Sequence, residues 1–415
     1  MKKVISLLLI ALLLCISISS LSSCSGNDDS GVKTLYVYNW GEYISDGSEG
    51  TVDSNEEFER WYYDTYGERV VVNYSTYSSN EDMYAKLSGG AVNYDIIVPS
   101  DYMIQRLIEE DRLAPLDYSN IPNIVNILPE FYGGDAKYDY YDKGNVYSVP
   151  YFYGMIGIIY NTTMVDDEDV GSWDIMWNEK YKDNILQFNN SRDAFGTAQY
   201  YLGIDVNTDS IEEWRAALEL LKSQKDIVQG YVMDEIFNKM EGGSAAIAAY
   251  YAGDFLTMYE NNEDLEFFYP EEGTNLYVDA MCIPKTSENK LIAERYINFM
   301  LSTDEEYGAP AIANAEYTYY ASPNKAVVEN EEYREYMNEI KDDAFDKMYA
   351  LDRVDATYYE NLTSEKLALI NELWEELKSD IKVSPTIIII CVAIVGSLVV
   401  LGLFFGIRKR YRNNY

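Results

Sequence analysis

The 415-residue sequence contains no histidine. Histidine is the commonest general base in enzymes and the commonest zinc ligand, so its absence narrows the possible functions. Hydrolases that rely on a Ser-His-Asp or a Cys-His arrangement are excluded. We therefore expect a protein that is not an enzyme and that carries no metal ion or cofactor.

Cysteine is scarce as well, with four residues in the whole chain. Cys15 and Cys24 lie near the N-terminus and Cys391 lies in a long apolar run near the C-terminus. Only Cys282 remains for the folded part, so no disulfide can form within it. The roughly 350 residues of that part must fold by burying apolar surface, which this length permits.

Basic residues are few: 32 Lys and Arg stand against 70 Asp and Glu, giving a formal net charge of -38. Phosphate binding requires clusters of Lys and Arg, so we expect no nucleic-acid partner. A negative field of this size attracts small cations. Charge alone does not separate a cation-binding function from simple solubility.

The N-terminal segment has the pattern of a secretion signal. Residues 1–23 begin with two lysines, continue as an apolar run and end in small residues. Leu21-Ser22-Ser23-Cys24 resembles the lipobox of bacterial lipoproteins, which implies lipid on Cys24 and a polar tether over residues 24–32. The alternative is a plain cleaved signal with a chance cysteine.

The C-terminal segment has the pattern of a membrane anchor. Residues 385–407 carry no charge and are long enough to cross a bilayer. The basic tail over 408–415 places the C-terminus in the cytoplasm. We therefore predict anchorage to the lipid bilayer at both ends, on the extracytoplasmic face of a bacterial cell membrane.

Between these segments, strand and helix patterns alternate. Residues 34–40, 94–100 and 276–284 predict strands, and residues 54–67, 191–203 and 210–224 predict helices. Ser54 and Glu57 form a capping-box pattern at the start of the first of these helices. The alternation predicts the α/β class, and the length favours two domains.

The predicted strand ends share one chemistry, because each carries aromatic residues, acidic residues or both. They are NWGEY (39–43), VPSDY (98–102), NNSRD (189–193), YYAGD (250–254), YVD (277–279) and YYASPN (319–324). Ligands of open α/β sheets bind beyond such ends. Carboxylates neutralise ammonium groups, and aromatic faces attract cations by about 0.5–2 kcal/mol each. The sequence therefore predicts a site for an organic cation.

Residues 34 to 380 resemble the periplasmic spermidine/putrescine-binding proteins of polyamine ABC importers. The resemblance is carried by LYVYNWGEYIS, YSTYSSNEDMYAKL, YDIIVPSDYMI, YSVPYFYGMIGIIYN, YVDAMCIPKTS and ASPN. It implies a two-lobed periplasmic-binding-protein fold of type II, a polyamine trapped in the cleft, and permease and ATPase subunits as partners. The implied lobes are 33–149 with 275–328, and 150–274 with 329–381.

The same resemblance implies ligand-binding roles for ten residues of this sequence. They are Trp40, Tyr43, Ser100, Tyr102, Asn190, Asp193, Tyr250, Tyr277, Asp279 and Tyr320. A further polar contact falls near Glu360.

The sequence departs from the family pattern at several of these positions. Asn190 stands where the family has an acid, Gly41 replaces a hydroxyl residue, and Tyr250 and Tyr277 replace Trp. Asp193 and Asp279 remain as ammonium partners, so the resemblance does not fix which polyamine is bound.

Several of these residues also have a structural interpretation. Asp279 lies in an apolar strand, where a carboxylate needs a partner, and a structural arginine would serve as well as a ligand. Asp193 fits an ordinary first-turn helix acid, and Ser100 fits a helix cap. Trp40 fits a core position. In the pairs that contain Tyr250 and Tyr320, one ring of each can belong to the core.

Three other functions fit part of the pattern. Tyrosine and acid oxygens bind ferric iron, although the lack of histidine weakens this interpretation. Two carboxylates can cleave a glycoside, although no motif names a nucleophile. The double anchorage also suits a surface adhesion module.

Overall fold

The computed structural model describes residues 31–90, 92–134 and 136–379. The predicted signal segment, Cys24 and the predicted membrane span 385–407 lie outside these residues. Within them, no helix combines the length and the apolar character that a bilayer crossing requires. The C-terminal transmembrane helix therefore stays a prediction.

The described chain mixes strands and helices, as the sequence predicts. The strands are β1 (Lys33–Trp40), β2 (Val70–Tyr77), β3 (Ile96–Ile97), β4 (Ser148–Asn161), β5 (Ile185–Phe188), β6 (Val228–Val232), β7 (Ile247–Tyr251), β8 (Leu265–Phe268), β9 (Thr274–Cys282) and β10 (Ala356–Tyr358). The helices are α1 (Ser54–Tyr66), α2 (Asn80–Gly89), α3 (Asp101–Glu109), α4 (Ser191–Leu202), α5 (Ile211–Gln224), α6 (Glu235–Glu241), α7 (Ala252–Asn261), α8 (Lys290–Met300), α9 (Pro310–Thr318), α10 (Lys325–Val328), α11 (Glu331–Ile340), α12 (Ala344–Met348) and α13 (Ser364–Ser379).

These elements form two compact units. The first contains the described chain up to Gly154, then Ala252–Thr257 and Tyr277–Ala350. The second contains Met155–Tyr251, Met258–Leu276 and the described chain from Leu351 onward. Residues 329–350, which the sequence analysis assigned to the second lobe, thus belong to the first unit. Tyr349 illustrates the reason, because its hydroxyl accepts a hydrogen bond from the Ser322 main-chain nitrogen at 3.0 Å.

The first unit is built on β1. This strand pairs in parallel with β2, from Lys33 opposite Val70 to Trp40 opposite Tyr77. It also pairs in parallel with β3, and β3 pairs antiparallel with the end of β9. Alternate residues of β1 such as Leu35 and Val37 are buried, because successive side chains of a strand face opposite sides.

The second unit is built on β5, which pairs in parallel with both β6 and β7. β4 pairs antiparallel with β7 and β8, and β10 pairs in parallel with the first residues of β9. An apolar cluster joins α4, α5 and α13, with Phe195, Trp214, Leu221 and Leu373 fully buried. This packing fixes the start of α4, where Asp193 lies.

The first helix begins one residue earlier than its capping-box pattern predicts. The N-cap is Asp53, whose carboxylate accepts hydrogen bonds from the main-chain nitrogens of Asn55 and Glu56. An aspartate side chain at this position satisfies two of the donors that a helix start leaves open. Ser54 is therefore the first helical residue and not the cap.

Candidate functional site

The first candidate group centres on Asp279, which lies inside the buried strand β9 and is 4% exposed. The Tyr43 hydroxyl donates a hydrogen bond to Asp279 Oδ2 at 2.7 Å. Burial, together with the charge of Asp279, raises the pKa of Tyr43 well above its usual range. The tyrosine therefore stays a neutral donor, and its hydroxyl orients the buried carboxyl group of Asp279.

An aromatic wall surrounds this pair in the first unit, and we define it as Tyr43, Tyr151, Phe152, Tyr277 and Tyr320. The rings of Tyr43 and Tyr320 meet edge to face, with centroids 4.7 Å apart. Tyr320 also contacts Tyr277, and Tyr43 contacts Tyr151 and Phe152. The structure therefore brings together three of the predicted rings, Tyr43, Tyr277 and Tyr320, beside Asp279.

Asp254 is a second carboxylate of the first unit that contacts the aromatic wall. It lies in the first turn of α7, is 7% exposed, and accepts a hydrogen bond from the Tyr320 hydroxyl at 2.9 Å. Gly253 makes this approach possible, because a Cβ atom there would lie 2.3 Å from Tyr320 Cδ2. Sequence reasoning did not select Asp254, although its signal was present as the acid that closes the strand-end motif YYAGD.

Ser100 lies next to Asp279, since the two residues form an antiparallel bridge. Its main-chain nitrogen and its hydroxyl bond the amide of Asn80, each at 3.1 Å. Ser100 is the N-cap residue of α3, as the cap interpretation predicts, but its side chain makes no capping hydrogen bond to the helix.

Trp40 and Tyr102 are both partly exposed in the first unit. The Trp40 indole nitrogen donates to the Val98 carbonyl at 2.9 Å, and its ring lies 4.7 Å from that of Tyr77. The Tyr102 hydroxyl donates to Glu81 Oε1 at 3.0 Å. The indole is thus held in place at the end of β1, with part of its surface left accessible.

The second candidate group lies at the start of α4 in the second unit. Asn190 caps this helix, because its Oδ1 accepts from the Asp193 main-chain nitrogen at 2.8 Å. The Asn190 amide in turn donates to Asp193 Oδ2 at 2.7 Å. Burial raises the pKa of Asp193 from its usual value, although hydrogen bonds from Tyr251 and Asn190 act in the opposite direction.

Tyr251, and not Tyr250, is the aromatic residue that contacts Asp193. The Tyr251 hydroxyl donates to Asp193 Oδ2 at 2.7 Å. Tyr250 is buried and stacks on Phe188 with ring centroids 5.6 Å apart. The structure therefore places Tyr250, the predicted ligand residue, in the core of the second unit and Tyr251 beside Asp193.

Glu360 is held through its backbone. Its main-chain nitrogen donates to Asn207 Oδ1 at 2.9 Å, and its carbonyl accepts from Arg192. The Arg192 guanidinium also lies 4.4 Å from the centre of the Tyr359 ring. The residue itself is exposed, so the geometry assigns no ligand contact to the Glu360 carboxylate.

The described ranges contain no group of three or more Cys, Asp or Glu side chains arranged to hold a metal ion. The structure shows three carboxyl groups, those of Asp279, Asp254 and Asp193, that each accept a hydrogen bond from a tyrosine hydroxyl and lie beside aromatic rings. Ammonium groups suit such sites, because carboxylates accept their hydrogen bonds and rings attract their charge.

Comparison with known proteins identifies the family of this chain. Residues 56–341 match the family model described as bacterial extracellular solute-binding protein. The spermidine/putrescine-binding periplasmic protein of Salmonella typhimurium is 33% identical over 310 residues, which cover 74% of this chain and 81% of the relative.

Two solved structures share the fold. The spermidine/putrescine ABC transporter substrate-binding protein PotD of Streptococcus pneumoniae matches with a TM-score of 0.63 and 34% identity, covering 83% of this chain and 98% of its own. The Tp0655 lipoprotein of Treponema pallidum matches with a TM-score of 0.65 at 24% identity, over 83% of this chain and 99% of its own; this second likeness concerns the fold alone. The chain therefore belongs to the bacterial extracellular solute-binding proteins, within the family of the spermidine/putrescine-binding periplasmic proteins.

Proposed function

We propose that this chain is the extracytoplasmic substrate-binding component of a polyamine ABC importer and that its ligand is a cation of the spermidine or putrescine type. The observation that carries the proposal is Asp279, a carboxylate buried in β9 and held by Tyr43 within the aromatic wall. The similar proteins of Salmonella typhimurium and Streptococcus pneumoniae, which are named for spermidine and putrescine, support the same ligand class.

The interaction energies of these residues are of the order that this role requires. A hydrogen bond to a charged group contributes about 1.5–3 kcal/mol, and each cation–π contact about 0.5–2 kcal/mol. Two carboxylate contacts and three or four rings together give about 4.5–14 kcal/mol, a range that includes the roughly 8 kcal/mol of micromolar binding, before the unfavourable loss of ligand freedom is subtracted.

The ammonium partners that we propose are Asp279 and Asp193, with Asp254 as an additional candidate. Trp40, Tyr43, Tyr102, Tyr277 and Tyr320 supply rings for the methylene chain, and Ser100 and Asn190 supply polar groups. Tyr251 takes the role that the sequence analysis gave to Tyr250, because it contacts Asp193.

A thermal-shift assay of the full-length chain tests the proposal. The ligand panel is putrescine, cadaverine, spermidine, spermine, a set of sugars and ferric citrate. A ligand at 100 times its dissociation constant stabilises the folded state by about 2.7 kcal/mol, which is readily detected. We expect stabilisation by polyamines alone. Stabilisation by a sugar or by ferric citrate, with none by any polyamine, contradicts the proposal.

We also propose that lipid on Cys24 and a membrane helix over residues 385–407 anchor the protein outside the cell membrane, close to permease and ATPase subunits. The lipobox pattern and the uncharged apolar run support this proposal. Fractionation of cells tests it: Cys24→Ser combined with truncation after Asp380 releases the protein, whereas each change alone leaves it bound. Full release by either single change refutes the double anchor.

A further inference from the structure

Asp101 is a buried acid next to the strand that carries Asp279. It is the first residue of α3 and is 1% exposed. Its Oδ2 accepts hydrogen bonds from the Tyr140 hydroxyl at 2.5 Å and from the Val278 main-chain nitrogen at 3.3 Å. Its Oδ1 accepts from the main-chain nitrogen of Tyr102 at 2.7 Å.

These bonds brace β9 on one side of Asp279. On the other side, the Ala280 main-chain nitrogen donates to the Pro99 carbonyl at 3.1 Å. Ser100 forms the bridge to Asp279 itself. The start of α3 and the site segment of β9 are therefore joined as one piece, and Asp101 is the titratable side chain at this junction that bonds the backbone of β9.

Among the described residues, the titratable groups that act on Asp101 come from two other elements. Asp279 faces it from β9, and Tyr140 and Tyr141 face it from the loop before β4. On its own helix, the contact with Tyr102 is made by the main-chain nitrogen, whereas the Tyr102 hydroxyl donates to Glu81. Burial raises the pKa of Asp101 to about 7; the charge of Asp279 acts in the same direction, and the hydrogen bonds from Tyr140, Tyr102 and Val278 oppose it.

We propose that Asp101 is a positioning residue for Asp279 and that capture of a cationic ligand at Asp279 is coupled to loss of a proton from Asp101. The inference rests on the proposed function, because it concerns the same site. An ammonium group next to Asp279 offsets the negative charge that disfavours ionisation of Asp101. Ligand binding therefore favours the ionised form of Asp101, and by linkage the ionised form favours ligand binding.

The sign of the effect follows from this coupling. At pH 6 most of the free protein must lose the Asp101 proton in order to bind, whereas at pH 8 most of it has already done so. If Asp101 is fully ionised in the complex, a free-state pKa of about 7 makes putrescine bind about tenfold more tightly at pH 8 than at pH 6. Both amines of putrescine resemble that of lysine, whose pKa is about 10.4, so the ligand itself does not titrate in this range.

Calorimetric titration of the full-length chain with putrescine tests the inference. Titrations at pH 6, 7 and 8, each in two buffers of different ionisation enthalpy, measure affinity and proton release together. The parent protein releases a fraction of a proton at pH 7. Asp101→Asn keeps the shape of the side chain and removes its titration, so the tenfold ratio falls close to one.

Two further variants separate positioning from a merely structural role. Tyr140→Phe removes a donor that favours the ionised form, so the midpoint of the pH profile moves upward. Asp142→Asn is the matched control in the same unit: burial raises the pKa of Asp142 as well, but its bonds go to Ser148, Val146 and Tyr147. This control keeps the tenfold ratio of the parent.

The outcomes decide between the two proposals. Equal affinity of the parent at pH 6 and pH 8, without buffer-dependent heat, overturns the coupling and leaves polyamine binding intact. The coupling is also overturned if the affinity of Asp101→Asn still changes tenfold between pH 6 and pH 8 while the affinity of Asp193→Asn no longer depends on pH. If Asp101→Asn does not fold, the parent titration and the midpoint of Tyr140→Phe still decide. Absence of polyamine binding at every pH refutes the proposed function itself.

Discussion

At the scale of single residues, one contact recurs among the candidate residues: an aspartate that accepts a hydrogen bond from a tyrosine hydroxyl. Asp279, Asp193 and Asp254 each accept such a bond, at 2.7, 2.7 and 2.9 Å. A neutral donor orients a carboxylate without neutralising it. A buried carboxylate that keeps its charge is costly for the free protein, and an arriving cation relieves that cost. The charge of Asp279 is therefore the quantity to change by mutation.

Asp279→Asn keeps the shape of the side chain and removes its charge. We expect it to weaken polyamine binding by about 2–4 kcal/mol, the order for losing one buried charged partner. Isothermal titration calorimetry measures the loss. Asp95→Asn is the control, since Asp95 is also buried in the first unit but bonds Tyr36, Ser287 and Asn289. Undiminished binding by Asp279→Asn makes Asp279 a structural acid.

Trp40→Ala removes the partly exposed indole at the end of β1. We expect a loss of about 1–3 kcal/mol in binding, because stacking and apolar burial against the ligand disappear. The fold should survive. Trp61→Ala serves as the control, since Trp61 packs on Tyr62, Tyr66 and Phe299 in the same unit. Equal losses in the two variants would indicate an effect of stability and not of ligand contact.

The sequence predicted part of the residue contacts that the structure shows, while the ligand-binding roles stay predictions. Asp279 was identifiable because an acid in an apolar strand needs a partner. The sequence could not show whether Tyr250 or Tyr251 contacts Asp193. Neighbouring residues of a strand face opposite sides, so a shift of the strand by one residue exchanges the side chains that face the acid and the core. The sequence analysis did not select Asp254 because its contact with Tyr320 joins residues 66 positions apart in the chain, which a local pattern does not show.

At the scale of elements, the first turns of two helices position candidate residues. The start of α4 positions Asn190 and Asp193, and the start of α7 positions Asp254 against Tyr320 of the aromatic wall. Asn190 is at once the N-cap of α4 and a hydrogen-bond partner of Asp193. An aspartate at this position would cap the helix equally well, but only an amide can also donate a hydrogen bond to Asp193. The capping pattern at Ser54 predicted a helix start correctly but placed its cap one residue late, because Asp53 is an equally good cap and comes first.

The start of α7 is packed too closely for a side chain at Gly253. Gly253→Ala would place a Cβ atom 2.3 Å from Tyr320 Cδ2, so the ring must move. We expect weaker polyamine binding and a loss of roughly 1–3 kcal/mol in the free energy of unfolding, as for other overpacked sites. Denaturant titration and calorimetry measure the two effects.

The control is Gly89→Ala in α2, where a Cβ atom meets nothing within 4 Å. This change should leave binding unaltered and stabilise the helix by about 0.5–1 kcal/mol. If Gly253→Ala behaves like Gly89→Ala, then the position of the Tyr320 ring does not matter for the ligand.

At the scale of the whole molecule, the net charge of -38 surrounds the site with an attractive field for cations. The screening length falls from about 30 Å at 0.01 M salt to about 3 Å at 1 M. We expect the association rate of spermidine to fall by at least about tenfold over this range, with a smaller change in the dissociation rate. Stopped-flow measurements check this. A rate that is independent of salt would mean that the field has no steering role.

The sequence predicted the α/β class and a division into two bodies, but not the border between them. Residues 329–350 form amphipathic helices. The pattern of apolar residues shows which face of such a helix is buried but not which of the two units buries it. Only the long-range contacts of residues such as Tyr349, which the chain pattern does not encode locally, assign them to the first unit.

The contact between Trp40 and Tyr77 also makes the site an optical reporter. Light absorbed by tyrosine passes to a nearby indole, and these ring centroids are only 4.7 Å apart. Indole emission responds to a charge placed against the ring, and part of the Trp40 ring remains accessible. If a polyamine binds against Trp40 as we propose, the emission of this one among six tryptophans changes on binding and reports it without any attached dye.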